Sequence, residues 1–286
     1  MNKAILITGA NGQLGNSIRR LAPEYTGSEF YFTDVDTLDI LNKEQIAAFV
    51  QDNQIQYIVN CAAYTAVDRA EEDRDVAMRI NCDAVRNIAE IAQLYDIKVI
   101  HISTDYVFDG EGTRPYKEND HTNPKSVYGA TKLAGEISLQ EICHESVIIR
   151  TAWLYSEYGS NFVKTMMRLG TERSELNVVS DQIGTPTYAG DLAMVILTII
   201  NYSTFVPGIY HYSNEGVCSW CDFAAKIMSL AQLDCLVHPI STNEYPTPAK
   251  RPAYSVLDKT KIKQIYGITI PEWEISLDRC LRSLCN

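Results

Sequence analysis

The chain has 286 residues, 46% apolar and 21% charged, with a formal net charge of -11 at pH 7. That length favours one large domain with a smaller lobe, in a chain of ordinary globular composition. The acidic balance repels phosphate backbones and anionic bilayers, so neither nucleic acid nor a membrane is an expected partner.

Met1-Asn2-Lys3 runs directly into Ala4-Ile5-Leu6-Ile7. This apolar run is too short for a signal-peptide core or a membrane helix, and a cytoplasmic location is expected. It reads as a buried strand. Gln13 to Leu21 reads as a helix opened by glycines, and Phe30-Tyr31-Phe32 as a second strand. Lys43 to Asn53 is expected to be helical, Tyr57 to Asn60 a strand, and Asp75 to Tyr95 one long helix. Lys98 to Ile102 is again a strand, Tyr128 to Ile142 a helix and Ser146 to Ile149 a strand. Short apolar strands alternating with amphipathic helices predict an α/β fold with a doubly wound, Rossmann-like parallel sheet.

The alternation loosens after Trp153. Phe162 to Arg173, Asp191 to Asn201 and Ser219 to Leu230 read as helices, with Ser219 a suitable N-cap. Leu176 to Val179 reads as a strand, and Tyr245 to Pro252, with three prolines, as an extended loop. Residues 1–152 plus about 188–215 are expected to form a dinucleotide-binding domain. Residues of about 153–187 and 216–286 are expected to form a smaller α/β substrate lobe. The eight cysteines, at 61, 82, 143, 218, 221, 235, 280 and 285, read as small core residues. Cys218-Ser219-Trp220-Cys221 lacks the second ligand pair that a zinc site needs.

Thr8-Gly9-Ala10-Asn11-Gly12-Gln13-Leu14-Gly15 joins the first strand to the first helix. Glycines at this spacing let a backbone turn sharply beside a pyrophosphate, which the helix N-terminus attracts. Asp34 follows the second strand, where an acid binds ribose hydroxyls and repels a 2′-phosphate. Asp34 therefore leans toward NADH over NADPH. Asp39 and Ile40 stand where side chains meet adenine, and the small residues after Asn60 suit a cofactor passing close to the backbone.

Tyr128 and Lys132 lie four residues apart and share a helix face. The ammonium is expected to favour the phenolate and so make Tyr128 a usable proton carrier. Ser103-Thr104 ends a strand at the carboxyl edge of the sheet, where such folds bind ligands.

These motifs together resemble the extended short-chain dehydrogenase/reductases. Ser103 to Gly110, Ala62 to Glu71, Tyr128 to Glu136 and Arg150 to Tyr155 narrow the resemblance to the dTDP-4-dehydrorhamnose reductases. Asn161 to Met166, Asp181 to Thr187 and Tyr245 to Pro252 extend it over nearly the whole chain. The resemblance implies NAD(P)H-dependent reduction of a keto group on a nucleotide-diphosphate sugar, dTDP-4-dehydrorhamnose. It implies catalytic roles for Thr104, Tyr128 and Lys132, with Thr104 bonded to the keto oxygen. It implies sugar contacts from Asp105 and Trp153. Cofactor contacts are implied for Gly9, Gly12, Gln13, Leu14, Gly15, Ala62, Ala63, Tyr64, Thr65 and Tyr128, besides Lys132 on the ribose. Some relatives bind magnesium through carboxylates at a dimer interface. Ser17 stands where one such acid would fall, so no metal is expected, while a homodimer is compatible with the resemblance.

Alternative activities stay open. A sugar-nucleotide dehydratase needs an acid after Asp105, and Tyr106 stands there. A sugar-nucleotide epimerase would recycle a tightly held cofactor. A non-catalytic regulator of the methionine adenosyltransferase type shares this branch and fold. Arg251 or Lys250 is placed to meet a diphosphate, or to be an ordinary solvated loop charge.

Overall fold

The computed structural model describes residues 3–285, with side chains through Leu284. Met1, Asn2, Asn286 and the side chain of Cys285 lie outside the described residues. The first half alternates as expected: β1 (Lys3–Thr8), α1 (Gln13–Leu21), β2 (Ser28–Phe32), α2 (Lys43–Asp52) and β3 (Tyr57–Asn60). Next come α3 (Arg74–Met78), a π-helical turn at Arg79–Asp83, α4 (Ala84–Leu94), β4 (Lys98–Thr104), α5 (Val127–Ile142) and β5 (Ser146–Thr151). The rest of the chain forms β6 (Leu154–Tyr155), α6 (Phe162–Glu172), β7 (Glu175–Val179), β8 (Ile183–Gly184), β9 (Thr187–Tyr188), α7 (Ala189–Asn201) and β10 (Gly208–His211). It closes with β11 (Cys218–Ser219), α8 (Trp220–Leu230), β12 (Leu236–Ile240), α9 (Thr260–Tyr266) and α10 (Trp273–Cys285). Ser219 caps α8 in a reciprocal box with Asp222.

Six strands form one parallel sheet in the order β10-β5-β4-β3-β1-β2. Strand β1 pairs with both β2 and β3, so the winding reverses there and opens a crevice at the carboxyl ends. Alternate residues of each strand face opposite layers. Ile5, Ile7, Val59, Ile100 and Val147 pack under α1 and α7. Leu6, Ile58, Val99 and Ile148 pack under α2, α4 and α5.

A third apolar cluster lies off the sheet. It joins Tyr155, Val163, Met166 and Leu176 to Phe223, Ile227, Trp273 and Leu277. Cys218, Cys221, Cys235 and Cys280 are buried in it as free thiols. Ile262, Tyr266 and Ile270, grouped by sequence with the second lobe, pack instead on the sheet's core. The Tyr266 hydroxyl also donates to the Val206 carbonyl just before β10, which ties α9 to that edge.

The expected single helix over residues 75–95 is interrupted, because the π turn adds a residue to the helical repeat. The turn brings the Asn81 carbonyl against Gly135 of α5. A Cβ on Gly135 would lie 2.1 Å from that oxygen. The Asn81 side chain holds the backbone of Tyr64 and the Thr131 hydroxyl. Gly135→Ala should therefore push α5 from its seat and cost about 1–3 kcal/mol, the scale of an overpacked core. Urea denaturation would measure this, and an unchanged midpoint would mean that the contact yields freely.

Candidate active site

A cavity of about 860 Å³ opens along the carboxyl ends of the strands and continues toward the third cluster. Glycines shape one end. Gly9 has φ +62°, and a Cβ there would lie 2.6 Å from the Ala62 nitrogen. Helix α1 starts at Gly12 without a side-chain cap or an acid in its first turn. Its first N–H groups are thus left for an anion. Gly12, Gln13 and Leu14 line this end, as do Asp34, Asp39, Ile40, Ala62, Ala63 and Thr65. Asp34 accepts the backbone N–H groups of Asn11 and Val35, which hold its carboxylate at the rim.

Two expected cofactor contacts are corrected. Gly15 does not line the cavity; a Cβ there would lie 2.5 Å from Ala10 Cα, so this glycine lets α1 pack on the loop. Tyr64 turns away, and its hydroxyl donates to Asp73. Its backbone is bound to Asn81 instead of facing the cavity.

Thr104, Asp105, Tyr128, Lys132 and Trp153 all line the other end. Thr104 ends β4, and Tyr128 and Lys132 lie in the first turns of α5. Ser126 caps that helix by accepting the Gly129 N–H. The Thr104 hydroxyl donates to Asp105 Oδ1 at 3.0 Å and accepts the Tyr106 N–H. Lys132, 1% exposed, donates from Nζ to the Ile102 carbonyl at 2.7 Å.

The electrostatics revise the expected role of the ammonium. Burial pushes the Tyr128 phenol up to about 12; the Thr104 hydroxyl opposes that rise and the charge of Asp105 adds to it. Tyr128 is therefore a protonated acid at neutral pH, because desolvation outweighs any help to the phenolate. Burial lowers Lys132 to about 8, against the opposing charges of Glu136 and Cys61.

Asp105 is 2% exposed, and its Oδ2 is buried without a hydrogen-bond partner. Burial raises its carboxyl to about 6, partly offset by Ser255, Thr104 and nearby backbone N–H groups.

Trp153 sits at φ +50°, a region costly for a bulky residue. Its ring stacks on Trp220 at 3.6 Å with an interplanar angle of 11°. Gly184 makes room for it, since a Cβ there would lie 2.7 Å from the indole. Sequence reasoning missed Trp220, which also lines the cavity. Its signal was present: it stands between the two cysteines that drew attention, right after the α8 cap.

Of the two loop cations, Arg251 lines the cavity and Lys250 does not. Arg251 donates both terminal nitrogens to Asp68, at 2.9 and 2.7 Å. Among the described residues no His/Cys/Asp/Glu group is arranged to hold a metal ion, and Ser17 is buried with its hydroxyl on the Gln13 carbonyl.

The raised Asp105 value is also a statement about stability. A carboxyl whose folded value lies above its unfolded one keeps its full contribution in acid and loses it as pH rises through the folded value, here about 6. Asp105→Asn removes that loss. In urea melts the variant should exceed the parent by about 2–3 kcal/mol at about pH 8 and converge with it by about pH 4. A pH-independent difference would show that ionisation of Asp105 is not what burial penalises.

Comparison with known proteins agrees with this geometry. The model of the RmlD substrate binding domain family matches residues 2–286. A dTDP-4-dehydrorhamnose reductase of Aggregatibacter actinomycetemcomitans is 44% identical, over 96% of each chain. A crystal structure of a dTDP-4-dehydrorhamnose reductase from Clostridium acetobutylicum superposes with a TM-score of 0.95 at 44% identity, covering 99% of this chain and 100% of that one. A dTDP-4-dehydrorhamnose reductase from Bacillus anthracis, solved in complex with NADP, gives the same TM-score, identity and coverage. A UDP-glucose 4-epimerase of Thermus thermophilus, at 19% identity and a TM-score of 0.79, shares the fold. With the match running from the glycine turn to the last helix, the chain belongs to the RmlD family, among the dTDP-4-dehydrorhamnose reductases.

Proposed function

We propose that this protein reduces the 4-keto group of dTDP-4-dehydro-L-rhamnose, giving dTDP-L-rhamnose, with NADH or NADPH. The observation that carries this reading is one cavity with an uncapped helix start at one end and Thr104, Tyr128 and Lys132 at the other. The residues fit a dinucleotide: glycine at the close approach, free N–H groups for a pyrophosphate and an acid for the ribose. A nicotinamide cofactor bound there supplies the hydride.

The chain's own residues then handle the oxygen. Negative charge develops on the carbonyl oxygen as it is reduced, and donors aimed at it stabilise that charge. Thr104 rotates its proton from Asp105 to this oxygen. Tyr128, held protonated by burial, gives its proton to the nascent alkoxide, which is a stronger base than a phenolate. Lys132 in its charged form offsets the charge left on the phenolate. Asp105 accepts a sugar hydroxyl on its unpartnered Oδ2, and Trp153 covers the sugar from the second lobe, formed by residues of about 153–187 and much of 216–286.

Purified protein should oxidise NADH or NADPH when given dTDP-4-dehydro-L-rhamnose. Tyr128→Phe should cut turnover by about 10²-fold or more, the scale of a lost general acid, while cofactor still binds. No oxidation of either cofactor overturns the reading, and wild-type turnover in the variant removes Tyr128 from the chemistry.

We also propose that Asp34 favours NADH. Among the described residues the cations in the cavity wall are Lys132 and Arg251, both beside the Thr104 end. Among the described residues no cation of the cavity wall stands at the Asp34 end, although Arg19 lies close by over the Phe32 ring. Asp34→Ser should raise the NADPH-to-NADH ratio of kcat/KM by about fivefold, the scale of one like-charge contact of about 1 kcal/mol. An unchanged ratio would mean that another residue reads the ribose.

A further inference from the structure

Three polar residues interrupt the apolar strands beneath Lys132. Thr8, Asn60 and His101 are register neighbours on β1, β3 and β4, so their side chains share the face that α5 covers. All three are nearly or fully buried, with His101 0% exposed. Thr8 Oγ1 donates to Asn60 Oδ1 at 2.7 Å, and the Ala62 N–H reaches the same oxygen at 3.2 Å. The Ala62 N–H only donates, so it fixes which end of the Asn60 amide is oxygen. The Asn60 amide nitrogen then faces His101 Nδ1 at 3.1 Å. That nitrogen also only donates, so Nδ1 must accept, and a neutral imidazole carries its proton on Nε2. Nε2 lies 3.4 Å from Lys132 Nζ.

We propose that His101 is a positioning residue for Lys132: locked by Asn60 with its proton on Nε2, it presents an N–H to the lysine and favours the amine with a free lone pair over the ammonium. The consequence for catalysis rests on the reductase reading, but the contact does not. The Ile102 carbonyl takes one lysine proton from the other side, so the nitrogen is held between a donor and an acceptor. The other ionisable groups facing it are Glu136 and Tyr128 on its own helix and Cys61 after β3. Glu136 and Cys61 favour the charged form, while burial and the His101 N–H oppose it. His101 itself stays neutral, since burial and the lysine charge both lower its basicity. Lys132 thus keeps or yields its proton near working pH, rather than staying permanently charged as a surface lysine does.

The test reads the lysine directly. The pH dependence of Lys132 acetylation by acetic anhydride, followed by mass spectrometry, gives its titration without substrate or turnover. His101→Phe keeps the ring and removes the N–H; the Lys132 midpoint should rise by about 0.5–1 pH unit. His101→Gln, which restores a donor, should bring it back toward wild type. In turnover, the alkaline limb of kcat/KM should move with the Lys132 midpoint. An unmoved midpoint in folded His101→Phe overturns the proposal. ¹⁵N spectra of the histidine-labelled wild-type protein decide the matter even if that variant fails to fold: a bare Nδ1 and protonated Nε2 on His101 are expected, and the reverse overturns the assignment. Absence of turnover in wild type would overturn the reductase reading and leave both measurements intact.

Discussion

The site depends on how α5 is fastened to the sheet. Most helices of this fold lie on their strands through apolar side chains alone. Helix α5 also sends two charges downward, Lys132 and Glu136, into a layer that excludes water. Each such burial costs several kcal/mol unless partners satisfy it. Lys132 has the Ile102 carbonyl and His101 beneath it. Glu136 accepts Arg150 through two nitrogens, with the closest contact at 2.6 Å, and accepts the Ser103 hydroxyl. Ser103 and Arg150 are themselves register neighbours on β4 and β5. The helix therefore has one polar anchor per turn, four residues apart, and neither survives a slide or rotation. Tyr128 is one turn upstream of the first anchor, and its phenol inherits that fixed position. Close approach is the second condition. Gly129 lets the Tyr106 carbonyl come within 2.2 Å of where a Cβ would stand, and Gly135 does the same for Asn81.

The cavity lies on a seam, and the seam is stitched by side chains rather than by the sheet. Gln13, in the first turn of α1, accepts the Ser156 hydroxyl at 3.1 Å and the Asn161 amide at 2.9 Å. The same residue that lines the phosphate end therefore holds the segment leading into α6. On the far side, the Arg251–Asp68 pair joins the proline-rich loop to the segment after β3. Arg251 is thus already neutralised where it meets the cavity, and an anionic ligand reaches it only in competition with Asp68. This local pairing matters in a chain of net charge -11, because the overall field opposes a nucleotide sugar. The helix N-terminus and two wall cations counter that field only at short range.

Much of this was legible because the fold repeats a simple period. Short apolar strands announced the parallel sheet, and Thr8 to Gly15 announced the turn at its first carboxyl end. The four-residue spacing of Tyr128 and Lys132 put both on one helix face. What the sequence hid were consequences of three-dimensional neighbourhood. The π turn at Arg79–Asp83 marks the apolar pattern only by a five-residue step from Ile80 to Val85, easily passed over in a long helical run. Tyr64 sits in the middle of a motif whose other members face the cavity, and only the Asn81 clamp turns it away. Trp220 gains its partner, Trp153, from a distant stretch of the chain beside the same third cluster, beyond any local pattern. The protonation of Tyr128 is a further case: spacing places the lysine near it, but only burial decides that the phenol keeps its proton. His101 carried a visible signal as a lone imidazole inside an apolar strand, yet its role needed Asn60 and Thr8 in register beside it.

Of the buried side-chain atoms left without a hydrogen-bond partner among the described residues, Asp105 Oδ2 is the one whose residue lines the cavity. The anchors under α5 are largely satisfied, whereas Asp105 Oδ2 makes no well-formed hydrogen bond, the Ser255 hydroxyl being near enough to lower the carboxyl's value but not bonded to it. An unpaired buried acceptor costs about 1–3 kcal/mol, more when charged, and that cost is relieved by any group that donates to it. On the proposed function, a sugar hydroxyl supplies the donor to a carboxylate that is already largely ionised at neutral pH. The carboxylate competes for the Thr104 proton that the reaction needs at the carbonyl oxygen. On the proposed function the sugar meets Oδ2, which leaves the Thr104 contact on Oδ1 as the bond that the substrate's carbonyl oxygen has to outcompete.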